Sequence, residues 1–311
     1  MLLSLRNIGI VILILGINLY VVSLLNNKIT SKIELRRGYH GYKKGSYVFP
    51  FSSSLKYIAK DYNFSFWDAL IFVLSIIIWA FIPISFNIAV VSSSFNLLIA
   101  VVIYIILLIS RVFSVSYSNY AFIISDVFKR VNQMLSIILP TLFCILSIII
   151  LNNSLDFKII VNSQYQYWNV VYQPVGFIVF FMSTVLQIKL LNLSEINQLI
   201  FTNNSHKEGE GITRFANRFS SYTILFFNVF LFNILYLGGW QKFHLIRGEI
   251  MVAIKFYVVL IVVVLFERSI SNISDVKKII NLNYKLLLPL SFFNLFLTII
   301  FLILRQVYSV I

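Results

Sequence analysis

Residues 133–151 read QMLSIILPTLFCILSIIIL, a run without a charged side chain. As a helix, such a run is long enough to cross the hydrocarbon core of a bilayer, which is about 30 Å thick. Similar runs recur along the whole chain, which is 59% hydrophobic, 16% aromatic and only 12% charged, with a mean hydropathy of +0.91. This composition excludes a soluble globular domain.

The hydrophobic runs predict an all-α polytopic membrane protein with about eight transmembrane helices. No segment between the runs is long enough to form a separate soluble domain, so we expect residues 1–311 to form a single integral membrane domain. The predicted spans cover roughly 2–25, 66–87, 95–110, 133–151, 170–191, 219–238, 250–267 and 285–304.

Positive charges are distributed unequally over the connections between these spans. Nineteen of the 25 lysines and arginines lie in the odd-numbered connections, at 26–65, 111–132, 188–218 and 268–285. Because connections on the cytoplasmic side carry an excess of Lys and Arg, we expect these four to face the cytoplasm or matrix. Both termini would then face the periplasm or intermembrane space. The net charge of +14 indicates anionic lipids and partner subunits, rather than nucleic acid, as binding partners.

Disulfide, metal and haem sites are not expected. Cys144 is the only cysteine, and the three histidines lie in three different connections. A disulfide, a thiolate cluster and haem held by paired span histidines are therefore excluded. Lys255 is the main ionisable residue inside a span, and its side chain either snorkels towards the headgroups or has a role inside the bundle.

A short helix on the membrane surface is predicted in the first connection. Pro50 can open such a helix, and Phe51, Leu55 and Ile58 follow at helical spacing. Lys56 lies on its polar edge, as is typical of a helix lying in the interface plane.

Short motifs at the span ends resemble those of one family of membrane proteins. Its patterns are R-x-G-P-N, a helix with two lysines, S-K-Y-A, Q-M-x-S, Q-P-x-G-F, L-G-G-W, the arginine of W-V-R-A, and W-K-x-L-L-P-L-S. The corresponding segments are Arg36–His40, Lys56 with Lys60, Ser118–Ala121, Gln133–Ser136, Gln173–Phe177, Leu237–Trp240, Arg268 and Tyr284–Ser291. Over roughly 20–300 the chain thus resembles the membrane protein that builds the quinone chamber of respiratory complex I, which is chain 1 of the mitochondrial enzyme and the H subunit of the bacterial one.

The resemblance implies a core membrane subunit of NADH:ubiquinone oxidoreductase that carries no redox centre or metal of its own. It would form the membrane wall of a chamber for ubiquinone or another quinone, and help to couple quinone reduction to proton translocation. The implied partners are the iron–sulfur and hydrogenase-like subunits of a soluble arm, which hold the iron–sulfur cluster, and small neighbouring membrane subunits. The candidate chamber or coupling residues are Glu195, Glu208, Glu210, Arg214, Phe215, Arg268, Arg36, Arg37, Lys56 and Lys285.

The proton relay that the resemblance implies has lost several carboxylates in this chain. Of the family's acidic run in the fifth connection only Glu195 remains, and Ile138, Ser221 and Ser53 stand where the family has acids. Because protons crossing a membrane protein need titratable groups, we expect a weakened local relay.

Two other functions stay open on the sequence: a free-standing polytopic transporter or receptor, and the homologous subunit of a membrane-bound hydrogenase. The chain shows no internal inverted repeat of the kind found in many transporters. Its first span is too long for the hydrophobic region of a cleavable signal. With the bias towards Ile, Asn, Lys, Phe and Tyr, this favours the mitochondrial inner membrane over a bacterial plasma membrane.

Overall fold

The computed structural model describes residues 2–33, 35, 66–117, 123–202, 210–241, 247–270 and 276–310, and these ranges contain helices and no strands. The helices are α1 (Leu2–Ile33), α2 (Phe66–Ile77), α3 (Asn96–Tyr117), α4 (Ile123–Asn152), α5 (Phe157–Ser163), α6 (Asn169–Tyr172), α7 (Pro174–Thr202), α8 (Glu210–Tyr236), α9 (Gly248–Ser269), α10 (Val276–Leu282) and α11 (Leu288–Val310). A 3₁₀ turn (Ile78–Ala80) extends α2, and a π-helical turn (Asn283–Leu287) joins α10 to α11. The all-α class is confirmed. The predicted surface helix lies outside the described residues.

Seven helical stretches of the described ranges are long and apolar enough to cross a membrane: α1, α3, α4, α7, α8, α9 and the run from α10 through α11. The span predicted at 66–87 differs, because α2 and its 3₁₀ turn end at Ala80 and are shorter than the other seven. Pro83 accounts for this early end, since proline lacks an N–H donor and disfavours helix in the residue before it. The chain is a multi-pass membrane protein.

Helix α8 forms the centre of the bundle. Every residue from Thr223 to Tyr236 is buried, and the helix packs against α2, α7 and α9. Two asparagines lie in this buried stretch. Asn233 Nδ2 donates to the Val229 carbonyl of its own helix at 2.8 Å, whereas Asn228 bonds to other helices.

Helix α4 supports the second half of the fold and packs against α11, α7 and α3. Pro140 lies inside it and removes one backbone hydrogen bond. The π-helical turn docks on its inner half, where Asn283 Nδ2 donates to Ser136 Oγ at 3.3 Å and Tyr284 Oη donates to Asn132 Oδ1 at 2.8 Å. Each bond joins a residue of one family motif to the residue just before the other motif.

The outer end of α8 is buried, and its last carbonyl groups accept hydrogen bonds from other segments. Gln164 Nε2 donates to the Ile234 carbonyl at 2.8 Å, and Asn169 Nδ2 donates to the Leu235 carbonyl at 2.7 Å. The last four carbonyls of a helix have no partner inside it, so these side chains satisfy groups that would otherwise be buried without a bond.

Lys255 completes this cap rather than snorkelling to the headgroups. Its ammonium donates to the Leu237 carbonyl at 2.6 Å and to the Gly239 carbonyl at 3.2 Å, and it lies 4.8 Å from the centre of the Trp168 ring. The residue is only 8% exposed. A cation beside the C-terminus of a helix is favourable because the helix dipole is negative there.

Candidate functional site

Buried charges gather at the inner end of the bundle, the end at which the basic, odd-numbered connections lie. Five charged side chains are buried in the described part of the chain, and four of them lie near the inner ends of α2, α3, α7 and α9. These four, which we call the inner charged layer, are Asp68, Arg111, Lys189 and Glu267. Charged groups inside a membrane protein are costly and usually mark a functional site.

Asp68 is the most deeply buried of the four, with 1% of its surface exposed. Ser114 Oγ of α3 donates a hydrogen bond to its Oδ1 at 2.6 Å. Because Asp68 lies in the first turn of α2, the positive end of that helix dipole also stabilises its carboxylate. Asp68 therefore joins the inner ends of α2 and α3.

A cluster of three phenylalanines lies one turn further along α2. Phe72 follows Asp68 at i+4 and thus shares its face, and its ring centre is 4.9 Å from that of Phe219 and 6.4 Å from that of Phe215 on α8. The two α8 rings are 6.2 Å apart. We call Phe72, Phe215 and Phe219 the phenylalanine cluster. It provides flat apolar surface directly beside a buried carboxylate.

Arg111 links α3 to the central helix. Its Nη1 donates a hydrogen bond to Ser221 Oγ of α8 at 2.9 Å, and the residue is 7% exposed. Ser221 is the position at which the resembling family has a glutamate. The guanidinium thus bonds to a hydroxyl at a position where the family has a carboxylate.

A second polar link joins the same helices two turns further out. Asn228 Nδ2 of α8 donates to Gln187 Oε1 of α7 at 2.6 Å. Tyr104 Oη of α3 lies 2.8 Å from the same oxygen, to which it can donate, and 2.5 Å from Gln187 Nε2, from which it can accept. Tyr104 precedes Arg111 by seven residues on α3, and Asn228 follows Ser221 by seven on α8. The two links therefore stack roughly 10 Å apart along the bundle, as a column of polar groups running from the charged layer towards the membrane centre.

Lys189 and Glu267 form the other half of the charged layer, where α7 meets the end of α9. Lys189 Nζ donates to the Ile270 carbonyl, just past α9. Arg268 Nε lies 3.0 Å from Glu267 Oε2. The Glu267 carboxylate attracts the Lys189 ammonium and the Arg268 guanidinium repels it, so one acid and two cations interact at this junction.

The structure describes the side chains of three candidate residues and separates them. Phe215 belongs to the phenylalanine cluster, Arg268 lies beside Glu267, and Lys285 is exposed on the π-helical turn. Among the described contacts none joins Phe215 to Arg268. Candidates that fall in helices without a described side chain are Glu195 on α7 and Glu210 and Arg214 on α8. Candidates outside the described residues are Glu208, Arg36, Arg37 and Lys56.

Sequence reasoning placed three members of the charged layer in or beside connections. Arg111 and Lys189 were assigned to the third and fifth connections, but α3 continues to Tyr117 and α7 to Thr202, so both residues lie inside helices. Asp68 was assigned only to the basic side. The sequence offered one signal that these residues are buried: each is a single charge at the edge of an apolar run, at helical spacing from apolar residues.

Two of the motifs prove to be close-packed junctions away from the charged layer. Gly176 N–H of the Gln173–Phe177 motif donates to Asn294 Oδ1 at 3.0 Å, and a Cβ on Gly176 would lie 2.7 Å from Asn294 Nδ2. Gly238 has φ of +71°, in the left-handed region that favours glycine at the end of a helix. Gly176 is required because the Asn294 side chain packs close to its backbone, and Gly238 is required because of its positive φ.

Comparison with known proteins decides the family. The model of the NADH dehydrogenase family matches residues 6–299. The chain belongs to the NADH dehydrogenase family. The resemblance inferred from the motifs is thus confirmed, and the family match covers both the inner charged layer and the phenylalanine cluster.

Curated relatives of this NADH dehydrogenase family member include bacterial proteins named as the H subunit of NADH-quinone oxidoreductase. The protein from Geobacillus sp. (strain WCH70) is 28% identical over 186 residues, which is 58% of this chain and 55% of the relative. The protein from Bacillus cytotoxicus is 27% identical over 186 residues, which is again 58% of this chain and 55% of the relative. The chain spans about half the length of the curated relatives it matches. A mitochondrial rather than bacterial membrane stays a prediction.

Proposed function

We propose that the chain is the membrane subunit that forms the wall of the quinone chamber in an NADH-quinone oxidoreductase. The observation that carries this proposal is the pairing of the inner charged layer with the phenylalanine cluster at one end of the bundle. A quinone has a flat apolar ring and two oxygens that accept hydrogen bonds. A binding site for it needs mostly apolar walls with a few fixed polar groups.

The soluble arm would dock on the basic inner face. This proposal rests on the names of the relatives and on the charge of the odd-numbered connections. Purification of the tagged chain in mild detergent should yield an iron–sulfur protein and a hydrogenase-like large subunit in fixed ratio. Recovery of a stable chain with neither protein would count against the whole proposal.

Quinone contact is tested at the phenylalanine cluster. In the purified complex, Phe72→Ala should raise the KM for quinone several-fold, because it removes the ring that α2 contributes to the cluster. Tyr165→Ala is the matched control, since this aromatic residue is 82% exposed in the even-numbered connection at the other end of the bundle. Equal KM values for the two variants would show that the phenylalanine cluster does not contact the quinone.

We further propose that proton coupling through this subunit is weakened. The support comes from two positions at which the resemblance implies a carboxylate and this chain has none. Ile138 is buried, and Ser221 accepts a hydrogen bond from Arg111. Ser221→Glu places an acid opposite a guanidinium that can stabilise its charged form. The ratio of protons moved to NADH oxidised in proteoliposomes should rise in this variant but not in Ser269→Glu, an exposed position on α9. An unchanged ratio in Ser221→Glu would contradict the proposal.

A further inference from the structure

A cavity lies between α3, α4 and α7 and shares Arg111 with the inner charged layer. Its volume is ≈ 80 Å³. The polar residues that line it are Arg111, Arg130, Gln133 and Gln187, and the remaining six lining residues are apolar. Arg111, Arg130 and Gln133 lie in the inner halves of their helices, and Gln187 lies at the middle of α7. We call this space the inner cavity.

An apolar groove continues from the inner cavity along the outside of the bundle. Its volume is ≈ 310 Å³, and the ten described residues of α3 and α4 that line it are all apolar. Val112 and Met134 line both spaces, so the groove and the cavity adjoin. Several of its walls, including Ile109 and Leu135, are exposed side chains at about the depth of the membrane core.

The length of the groove matches one leaflet of a bilayer. On α4 it runs from Val131 to Leu142. Eleven residues of helix rise roughly 16 Å, and half of a hydrocarbon core is about 15 Å thick. The groove begins at the depth of the two arginines and ends near the membrane centre, as an acyl chain of the inner leaflet would.

The width of the groove also favours a single hydrocarbon chain. Helices α3 and α4 pack against each other, and packed helices have axes about 8–10 Å apart. A cleft between two such neighbours is narrower than a further helix, which is about 10–12 Å across with its side chains. Ile138, at a position where resemblance expects a carboxylate, keeps the floor of the groove apolar.

The positive charge of the inner cavity favours a lipid with an anionic headgroup. Among the side chains that the structure describes, two arginines line the cavity and no Asp or Glu does. A guanidinium binds a phosphate through paired N–H donors. It carries five N–H donors, so Arg111 can bond to Ser221 and to a phosphate at the same time. Neutral amides of Gln133 and Gln187 add hydrogen-bond donors without negative charge.

We propose that the inner cavity and the groove together bind one anionic phospholipid of the inner leaflet. Its phosphate lies against Arg111 and Arg130, and one acyl chain fills the groove between α3 and α4. The site is separate from the phenylalanine cluster, which lies between α2 and α8. Occupancy would hold α3 against α4 beside the polar column of Tyr104, Gln187 and Asn228.

The test uses the complex as purified, exchanged into micelles that contain phosphatidylglycerol or phosphatidylcholine with the same acyl chains. Native mass spectrometry counts the lipid retained. We expect one phosphatidylglycerol to be retained at least tenfold more tightly than phosphatidylcholine. Arg130→Gln should abolish this preference, whereas Lys277→Gln, an exposed residue with the same charge change on the same side, should preserve it. Equal retention of the two lipids by the unmodified protein overturns the proposal.

A second pair of variants tests the groove without changing charge. Leu135→Trp fills the groove and should reduce retention of phosphatidylglycerol about tenfold, whereas Leu146→Trp, equally exposed on α4 but outside the groove, should not. A photocrosslinker at position 135 should label lipid. If it labels a neighbouring protein helix instead, a partner subunit fills the groove and the lipid proposal is wrong.

Discussion

The buried guanidinium of Arg111 donates a hydrogen bond to the hydroxyl of Ser221 at 2.9 Å, so a charged group on α3 meets a neutral group on α8. Seven residues away on each helix, Tyr104 and Asn228 meet through Gln187. Polar side chains thus hold α3, α7 and α8 together at two depths. The stability of the bundle should therefore depend on the hydrogen bonds of α8.

Ser221→Ala removes the acceptor of a bond from a charged donor. Such bonds contribute about 1.5–3 kcal/mol, so the variant should unfold at a lower temperature in detergent. Ser269→Ala is the control, because the Ser269 hydroxyl is exposed and bonds only to the Leu265 carbonyl of its own helix among the described contacts. Equal unfolding temperatures for the two variants would show that the Arg111–Ser221 bond contributes nothing to stability.

Asn228→Leu should destabilise the protein by about 1–3 kcal/mol, because it leaves buried polar atoms of Gln187 and Tyr104 with fewer partners. The triple variant Asn228→Leu, Gln187→Leu, Tyr104→Phe replaces the whole network by apolar groups and should recover most of that loss. Thermal unfolding of both variants decides this. A triple variant less stable than the single one would mean that the network is not an isolated unit.

Lys255→Met should loosen the outer end of α8, because the Leu237 and Gly239 carbonyls lose their donor in a buried place. Backbone amides of residues 237–241 should exchange hydrogen faster, and stability should fall by about 1–3 kcal/mol. Lys158→Met changes the charge on the same side of the membrane, where the ammonium lies over the Phe86 ring, and serves as control. If both variants exchange at the same rate, the cap has no energetic role.

Gly176→Ala should destabilise the contact between α7 and α11. The new methyl would lie 2.7 Å from Asn294 Nδ2 and 2.8 Å from Tyr236 Oη, and overpacking of this kind costs about 1–3 kcal/mol. Gly16→Ala is the matched control, since a Cβ there meets nothing within 4 Å and alanine favours helix. Unfolding temperatures should therefore move in opposite directions. A loss in both variants would point to a general effect of substitution rather than to the contact.

The class of fold could be predicted from the sequence because a membrane-spanning run carries its own signal. The hydrophobic runs give the number and order of the long helices directly. The span at 66–87 was predicted too long, because its apolar composition continues to residue 87 while Pro83 stops the helix before that point. The length of the apolar run overestimated this helix, whereas the run around Pro140 is helical throughout.

The inner charged layer could be predicted only in part. Arg268, which pairs with Glu267 of that layer, was recognised because it stands at a span end within a family motif. Asp68 and Arg111 could not be recognised, because their partners Ser114 and Ser221 lie 46 and 110 residues away in sequence. A charge at the edge of an apolar run looks the same whether its side chain points to headgroups or to another helix. Only the packing of α2, α3 and α8 distinguishes these outcomes.

The position of α8 bears on how the protein is made. It is the least apolar and the most buried of the seven spans, and its outer carbonyls bond to Gln164 and Asn169 before it in the chain and to Lys255 after it. A helix of this kind gains little by entering lipid alone. We therefore expect this helix to settle in the membrane only after α9, which supplies Lys255 to its outer end, has also been made.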